Sequence, residues 1–250
     1  MPPLPNRDCG LDILKRFTFI NLDGGAEDVQ KSARYTHLTF DCYGTLIDWR
    51  AGIERELARA LGTVKLRGSQ LLAAYVEAEK SQESVYKKYR EVLRETIGSM
   101  SDILGVEVPG AAAREFAASV PKWPAFPDTA KFLREMGSRG FKRYILSNVD
   151  NDLLEETIEE HGLDIDGFVT AEDVGSYKPS PAHWIKFMEK TGTPRGRVLH
   201  CAQSVYHDII PTQVMGIDSA WVNRYGEKLG PGIQPHFICD NLENLAKALG

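Results

Sequence analysis

Short apolar runs and longer amphipathic stretches alternate along most of this 250-residue chain. Residues 35–41 (YTHLTFD) are apolar, β-branched and aromatic over a length suited to a buried strand. Two helical stretches follow, over 52–62 and 69–98. In the second, Leu72, Tyr75, Val76, Val85, Tyr89 and Val92 fall at helical spacing along one stripe. A short helix is predicted over 111–119. WPAFPDT at 123–129 is a punctuated return segment, with Asp128 placed to cap the next helix.

Beyond this point the period changes regularly. The pattern predicts helices over 128–138, 151–161, 180–191, 208–215 and 241–249. Strands are predicted over 144–147, 168–174, 198–202, 219–223 and 236–240. Strands alternating with helices imply an α/β fold, a doubly wound parallel sheet with a Rossmann-like core. The helical stretch 52–125 interrupts the alternation and reads as an inserted cap domain. The predicted organisation is an N-terminal arm over 1–34, an α/β core over 35–51 and 126–250, and a helical cap over 52–125. The arm has no clear period, and its RFTFINL segment reads as a short strand.

Composition narrows the class. Apolar residues make up 42% and charged residues 26% of the chain, ordinary for a globular protein with a sizeable core. The net charge of −5 argues against nucleic acid or an anionic membrane surface as the main partner. No apolar run approaches the length needed to span a bilayer, and the first residues lack the apolar centre of a signal peptide, so a cytoplasmic protein is expected. Cys9, Cys42, Cys201 and Cys239 are widely spaced, so reduced thiols without a zinc site are expected.

Candidate chemistry follows from where the predicted strands end, because ligands of open parallel sheets bind outside the carboxyl ends of the strands. The first strand ends on Asp41, the second on Ser147 and Asn148, and the 198–202 strand on Gln203 and Ser204, with Asp208 one turn further. Lys178 follows the 168–174 segment. Each has an ordinary structural explanation alone, as a cap, a turn residue or a solvated charge. Together they bring two carboxylates, a lysine, a hydroxyl and an amide to one edge. A carboxylate beside a cation suits covalent nucleophilic catalysis. Gly44 and Thr45 fit a turn whose amides face an anion.

The segments FDCYGTLID, ILSN, YKP and SVYHD resemble the four motifs of the haloacid dehalogenase superfamily, and the resemblance spans about 35–249. It implies the same α/β core with a helical cap after the first motif. Phosphatases of that superfamily carry a general acid two residues after the nucleophile, where this chain has Tyr43. Loss of such an acid costs on the order of 10²–10⁴ in rate, whereas halide leaves carbon without a proton. The resemblance therefore implies an enzyme close to the L-2-haloacid dehalogenases, with a small-molecule substrate and no cofactor; a homodimer is left open. Asp41 is the expected nucleophile, forming an ester that water then hydrolyses. Lys178 is expected to orient and neutralise it. Thr45, Ser147 and Asn148 would hold the carboxylates, and Asp208 would position Lys178 or water. Tyr43, Trp184, Gln203 and Ser204 are the expected substrate-binding residues.

The chain also departs from that pattern. The family's cap-helix arginine has no counterpart in AAYVEAEKSQ, Trp184 replaces a tyrosine, and Gln203 and Val205 replace a serine and an asparagine. Lys80, Lys87 and Lys88 are alternative anion partners, Trp123 a pocket wall, and His207 a candidate base. Two other functions compete: a Mg²⁺-dependent phosphatase with Asp41 and Asp208 on the metal, and a catalytically idle binding protein.

Overall fold

The computed structural model describes residues 34–61, 69–82, 85–105 and 108–250. The predicted arm and its RFTFINL strand therefore lie outside the described residues, apart from Arg34. Six parallel strands make one sheet: β1 (His37–Phe40), β2 (Lys142–Ser147), β3 (Gly167–Thr170), β4 (Val198–Ala202), β5 (Asp218–Val222) and β6 (Phe237–Cys239), in the order β3-β2-β1-β4-β5-β6. Most strand positions are buried, as expected of a sheet covered on both faces. Leu38 and Phe40 of β1 are fully buried, and β4 and β5 are buried along their whole length.

The chain runs outward from β1 to β3 on one side, then returns to β4 and runs outward again. β1 and β4 pair in register, His37 with Val198 and Phe40 with Cys201. Their carboxyl ends therefore flank the point where strand order reverses, which is where a doubly wound sheet opens a crevice.

Four helices lie between β1 and the rest of the sheet in sequence: α1 (Trp49–Leu61), α2 (Ser69–Gln82), α3 (Tyr89–Leu104) and α4 (Gly110–Ala118). The remaining helices are α5 (Thr129–Ser138), α6 (Asn151–His161), α7 (Ala171–Val174), α8 (Ala182–Thr191), α9 (Ile210–Met215) and α10 (Leu242–Ala248). The chain leaves the sheet for α1 and returns from α4 through one narrow ribbon. Ile47 bridges antiparallel to Ala125, Asp48 N–H donates to Pro124 O at 2.8 Å, and Phe126 N–H donates to Leu46 O at 3.0 Å. Among the described residues no helix is long and apolar enough to cross a membrane.

Three local expectations need correction. The predicted single helix over 69–98 is two helices, ending at Gln82 and restarting at Tyr89. The restart is fixed from elsewhere in the fold: the buried Asp150 carboxylate accepts the Tyr89 and Arg90 N–H groups at 2.8 and 3.0 Å, capping α3. Tyr177 adds a hydroxyl bond to Lys87 O at 2.7 Å. The predicted strand 168–174 stops at Thr170, because Thr170 and Asp173 form a capping box that starts α7. Asp128 does not cap α5; its carboxylate receives Arg224 and the Leu242 N–H instead.

Candidate active site

β1 passes directly into a tight turn. Asp41 N–H still pairs with Cys201 O at 3.2 Å, and then Cys42 O accepts the Leu46 and Ile47 amides at 2.8 and 3.0 Å. Gly44 has φ +110, and a Cβ there would lie 3.1 Å from Trp49 Nε1, so this position excludes a side chain. The amides of Gly44 and Thr45 donate to Ile47 O and Cys42 O, so they serve the turn and not an anion. The turn folds the Thr45 hydroxyl back onto Asp41 Oδ2 at 3.0 Å, and that hydroxyl also accepts the Gln203 N–H at 2.9 Å.

Lys178 is the hub. It is 2% exposed, and Nζ donates to Asp41 Oδ1 at 2.8 Å, Asp208 Oδ1 at 2.7 Å and Leu146 O at 2.9 Å. All three ammonium protons are thereby used. Asn148 holds the loop that carries the lysine: its Oδ1 accepts Lys178 N–H at 2.7 Å and its Nδ2 donates to Lys178 O at 3.1 Å. Asn148 thus braces the lysine backbone and does not hold a carboxylate. Ser147 Oγ has no hydrogen-bond partner among the described residues, so it holds no carboxylate either.

The electrostatics follow from burial and from how one ammonium is shared. Burial pulls Lys178 down most strongly, but Asp208 and Asp41 together outweigh it and raise its pKa. Burial raises Asp208, yet Lys178 and His200 overcompensate and hold it well below the ordinary carboxylate range. Asp41 receives less compensation: burial and the Asp208 charge leave it raised, despite Lys178 and the Thr45 hydroxyl. The two carboxylates are therefore distinguished, one firmly ionised and one more basic.

His200 completes this cluster. Its Nε2 lies 3.0 Å from Asp208 Oδ1 and its Nδ1 lies 2.9 Å from Thr39 Oγ1, all within the buried core. Because an ionised carboxylate only accepts, Nε2 carries the proton. Trp184 packs edge-on to His200 at 5.2 Å and is fully buried with Leu146, Phe187 and Val198. Trp184 is thus core behind the site, and the expected substrate contact is corrected. His200 was not singled out in the sequence, although a polar residue inside the all-buried strand VLHCA is itself a signal of a buried partner.

Above Asp41 and Lys178 lies a cavity of about 580 Å³. Tyr43, Gln203, Ser204 and His207 line it, as do Ser147 and Asn148, with Trp123 and residues of α1 and α2 as further walls. Tyr43 lies edge-on to Trp123 at 5.9 Å. Its hydroxyl is 2.7 Å from Thr157 Oγ1, which itself donates to Leu153 O at 2.7 Å, so Tyr43 is the donor. Burial raises the phenol well above its ordinary pKa, and its proton is committed to Thr157. His207 Nδ1 is 3.1 Å from Ser204 Oγ, and burial lowers its pKa. Gln203 Nε2 donates to Glu227 at 3.1 Å. Cys42 is fully buried and its thiol is raised well above normal by burial, as an inert packing residue would be.

The three lysines considered as anion partners lie elsewhere. Lys80 is exposed, Lys87 pairs with Glu95, and Lys88 pairs with Glu172; none lines the cavity. Arg224 braces the turn that follows Asp41: Nε and Nη2 donate to Thr45 O at 3.1 and 2.8 Å, and Nη1 donates to Asp128 at 3.0 Å. A larger cleft of about 840 Å³, bounded by Arg55, Arg59 and Glu115, gathers none of the residues singled out in the sequence.

A magnesium ion between Asp41 and Asp208 would need several oxygen ligands in near-octahedral order. The place between these carboxylates is bridged by the Lys178 ammonium, and among the described residues no group of three or more His, Cys, Asp or Glu is arranged to hold a metal. An ion shared by the two carboxylates would have to displace that ammonium.

A family model described as haloacid dehalogenase-like hydrolase matches residues 35–201. Haloacid dehalogenase-like hydrolase domain-containing protein 3 of Danio rerio is 28% identical over 191 residues, covering 72% of this chain and 76% of its own. Haloacetate dehalogenase H-2 of Moraxella sp. (strain B) is 22% identical over 196 residues, covering 76% and 86%. The L-2-haloacid dehalogenase of Xanthobacter autotrophicus, with chloropropionic acid covalently bound, superposes with a TM-score of 0.76 at 20% identity, covering 85% of this chain and 97% of that one. With the family model matched across β1 to β4, the chain belongs to the haloacid dehalogenase-like hydrolases.

Proposed function

We propose that the protein hydrolyses a carbon–halogen bond with Asp41 as nucleophile. The observation that carries this reading is the Asp41 carboxylate, held by Lys178 and Thr45 at the cavity floor, followed two residues later by a tyrosine whose proton is spent on Thr157. A phosphate ester needs a proton delivered to its leaving oxygen, and this position supplies none. A halide needs no proton.

In the first step a carboxylate oxygen of Asp41 attacks the halogen-bearing carbon. The C–O bond forms as the C–X bond breaks, and halide departs with the electron pair. Water then adds to the ester carbonyl, the alcohol leaves, the Asp41 carboxylate is regenerated and one proton passes to solvent. Lys178 orients Asp41 and balances its charge. Asp208 positions Lys178 through Oδ1, while its buried Oδ2, which has no hydrogen-bond partner among the described residues, offers an acceptor for the attacking water. Helices α1–α4 act as a cap that supplies the upper cavity wall. The relatives whose names denote haloacetate and haloacid dehalogenases support the reaction class.

The test is turnover of 2-chloropropionate, 2-chloropropionamide and p-nitrophenyl phosphate with excess EDTA and then with added Mg²⁺. Halide release that survives EDTA is the expected result. Phosphate release that vanishes with EDTA and returns with Mg²⁺, without halide release, would replace the reading with a phosphatase.

A further inference from the structure

The charges around the cavity constrain what can enter it. Asp41, Glu77, Glu79 and Asp208 line it on the acidic side, against Lys178 and Arg50. Lys178 is fully engaged and Arg50 partly so. Lys178 has given its three protons to Asp41, Asp208 and Leu146 O. Arg50 pairs with Glu227 through Nη2 at 2.7 Å and lies over the Tyr225 ring at 3.5 Å, and its buried Nε has no hydrogen-bond partner among the described residues. The remaining walls include Trp49, Ile53, Leu72, Val76 and Trp123, which lower the local dielectric and strengthen any uncompensated charge.

Glu79 is the unusual member. It sits on α2 and accepts two hydroxyl hydrogen bonds on the same oxygen, from Tyr75 at 2.8 Å and from Tyr89 of α3 at 2.7 Å. No ion pair among the described residues involves it, and none of the described hydrogen bonds reaches Oε2. Two tyrosines on two helices thus fix a carboxylate in the wall of the reaction cavity with neutral donors alone. On the cavity floor, the buried Ser147 hydroxyl is another polar group without a hydrogen-bond partner among the described residues.

Building on the dehalogenase reading, we infer that the cavity selects organohalides that carry no carboxylate: neutral or cationic molecules whose N–H, O–H or ammonium group faces Glu79. A haloacid anion would bring a third charge of the same sign toward Asp41 and Glu79, while the two lining cations are already paired with carboxylates, Lys178 with Asp41 and Asp208 and Arg50 with Glu227. A haloamide or a quaternary ammonium halide meets complementary charge instead. Glu79 is then the specificity-determining residue, acting on recognition while Asp41 performs the displacement.

The experiment uses three matched probes: 2-chloropropionate, 2-chloropropionamide and N-(2-trimethylammonioethyl)-2-chloropropionamide. Their binding is measured by calorimetry on Asp41→Asn, which blocks turnover and, by removing one negative charge, biases the measurement against the inference. The amide and the quaternary probe are expected to bind at least about tenfold more tightly than the acid, a difference of about 1.4 kcal/mol. Glu79→Gln in the same background keeps an acceptor oxygen for both tyrosines, and a melting curve checks its fold. It is expected to bring the acid within about threefold of the amide. An acid that binds as tightly as the amide, a preference that Glu79→Gln leaves unmoved, or no binding of any probe overturns the inference. Halide release by the unmodified protein is scored separately. If the binding order holds while none of the probes loses halide, the charge selection is upheld and the reaction reading falls.

Discussion

At the scale of single residues, Asp41 and Asp208 illustrate how one lysine gives two carboxylates different characters. Asp208 is bonded by both Lys178 and His200, whereas Asp41 keeps much of its burial penalty. Asp41→Asn should lower turnover by about 10⁴-fold or more while leaving the far-ultraviolet circular dichroism unchanged; activity retained in protein shown by mass spectrometry to be free of deamidation would contradict the nucleophile assignment. The raised Asp41 carboxyl also sets a pH dependence. The nucleophile must be ionised, so kcat/KM falls as pH drops through its pKa, and a raised pKa places that acid limb above the ordinary value of about 4. Thr45→Val removes a hydrogen bond to the ionised form and should move the limb higher still. A limb at or below about 4 in the unmodified protein, read from a pH–rate profile, would contradict this account.

At the scale of elements, the sequence conveyed what local pattern can convey. The first strand, the alternation after residue 126 and the helical character of 52–125 are written in periodicity, and the strand-end rule placed Asp41, Lys178 and Asp208 on one edge before any coordinates. The break between α2 and α3 was hidden because its cause, Asp150, lies 61 residues from the Tyr89 N–H it accepts. The end of β3 was legible and missed, since Thr170 and Asp173 have the spacing of a capping box. Trp184 could not be placed by sequence, because a buried ring behind a strand and a pocket wall look alike in one dimension. Close packing between α1 and the return segment was equally invisible. A Cβ on Gly52 would sit 2.3 Å from Trp123 Cγ. Gly52→Ala should therefore cost about 1–3 kcal/mol in urea unfolding through overpacking. Because Trp123 lines the cavity, the same change should raise KM more than it lowers kcat. An unchanged denaturation midpoint would show that the interface yields more easily than its geometry implies.

At the scale of the whole molecule, the Arg224 guanidinium joins parts of the chain that are far apart in sequence. It reaches Thr45 O in the turn after β1 and Asp128 at the start of α5, and Asp128 in turn accepts the first amide of α10. The ion pair is buried, and removing one partner leaves the other charge uncompensated. Arg224→Ala should cost about 3–5 kcal/mol by denaturant unfolding and should reduce turnover as the Thr45 carbonyl loses its anchor. A loss below about 1 kcal/mol would reduce this clamp to an ordinary surface pair. A different consequence follows from the ribbon at Ile47 and Ala125, through which α1–α4 leave and rejoin the sheet. Departure and return at a single hydrogen-bonded doorway make those helices a cassette: their sequence can diverge, lengthen or be exchanged while the strand ends that carry Asp41, Lys178 and Asp208 keep their register. In the function proposed above, the reaction and the choice of substrate thereby sit on separate stretches of the chain, with Glu79 on α2 and outside the sheet.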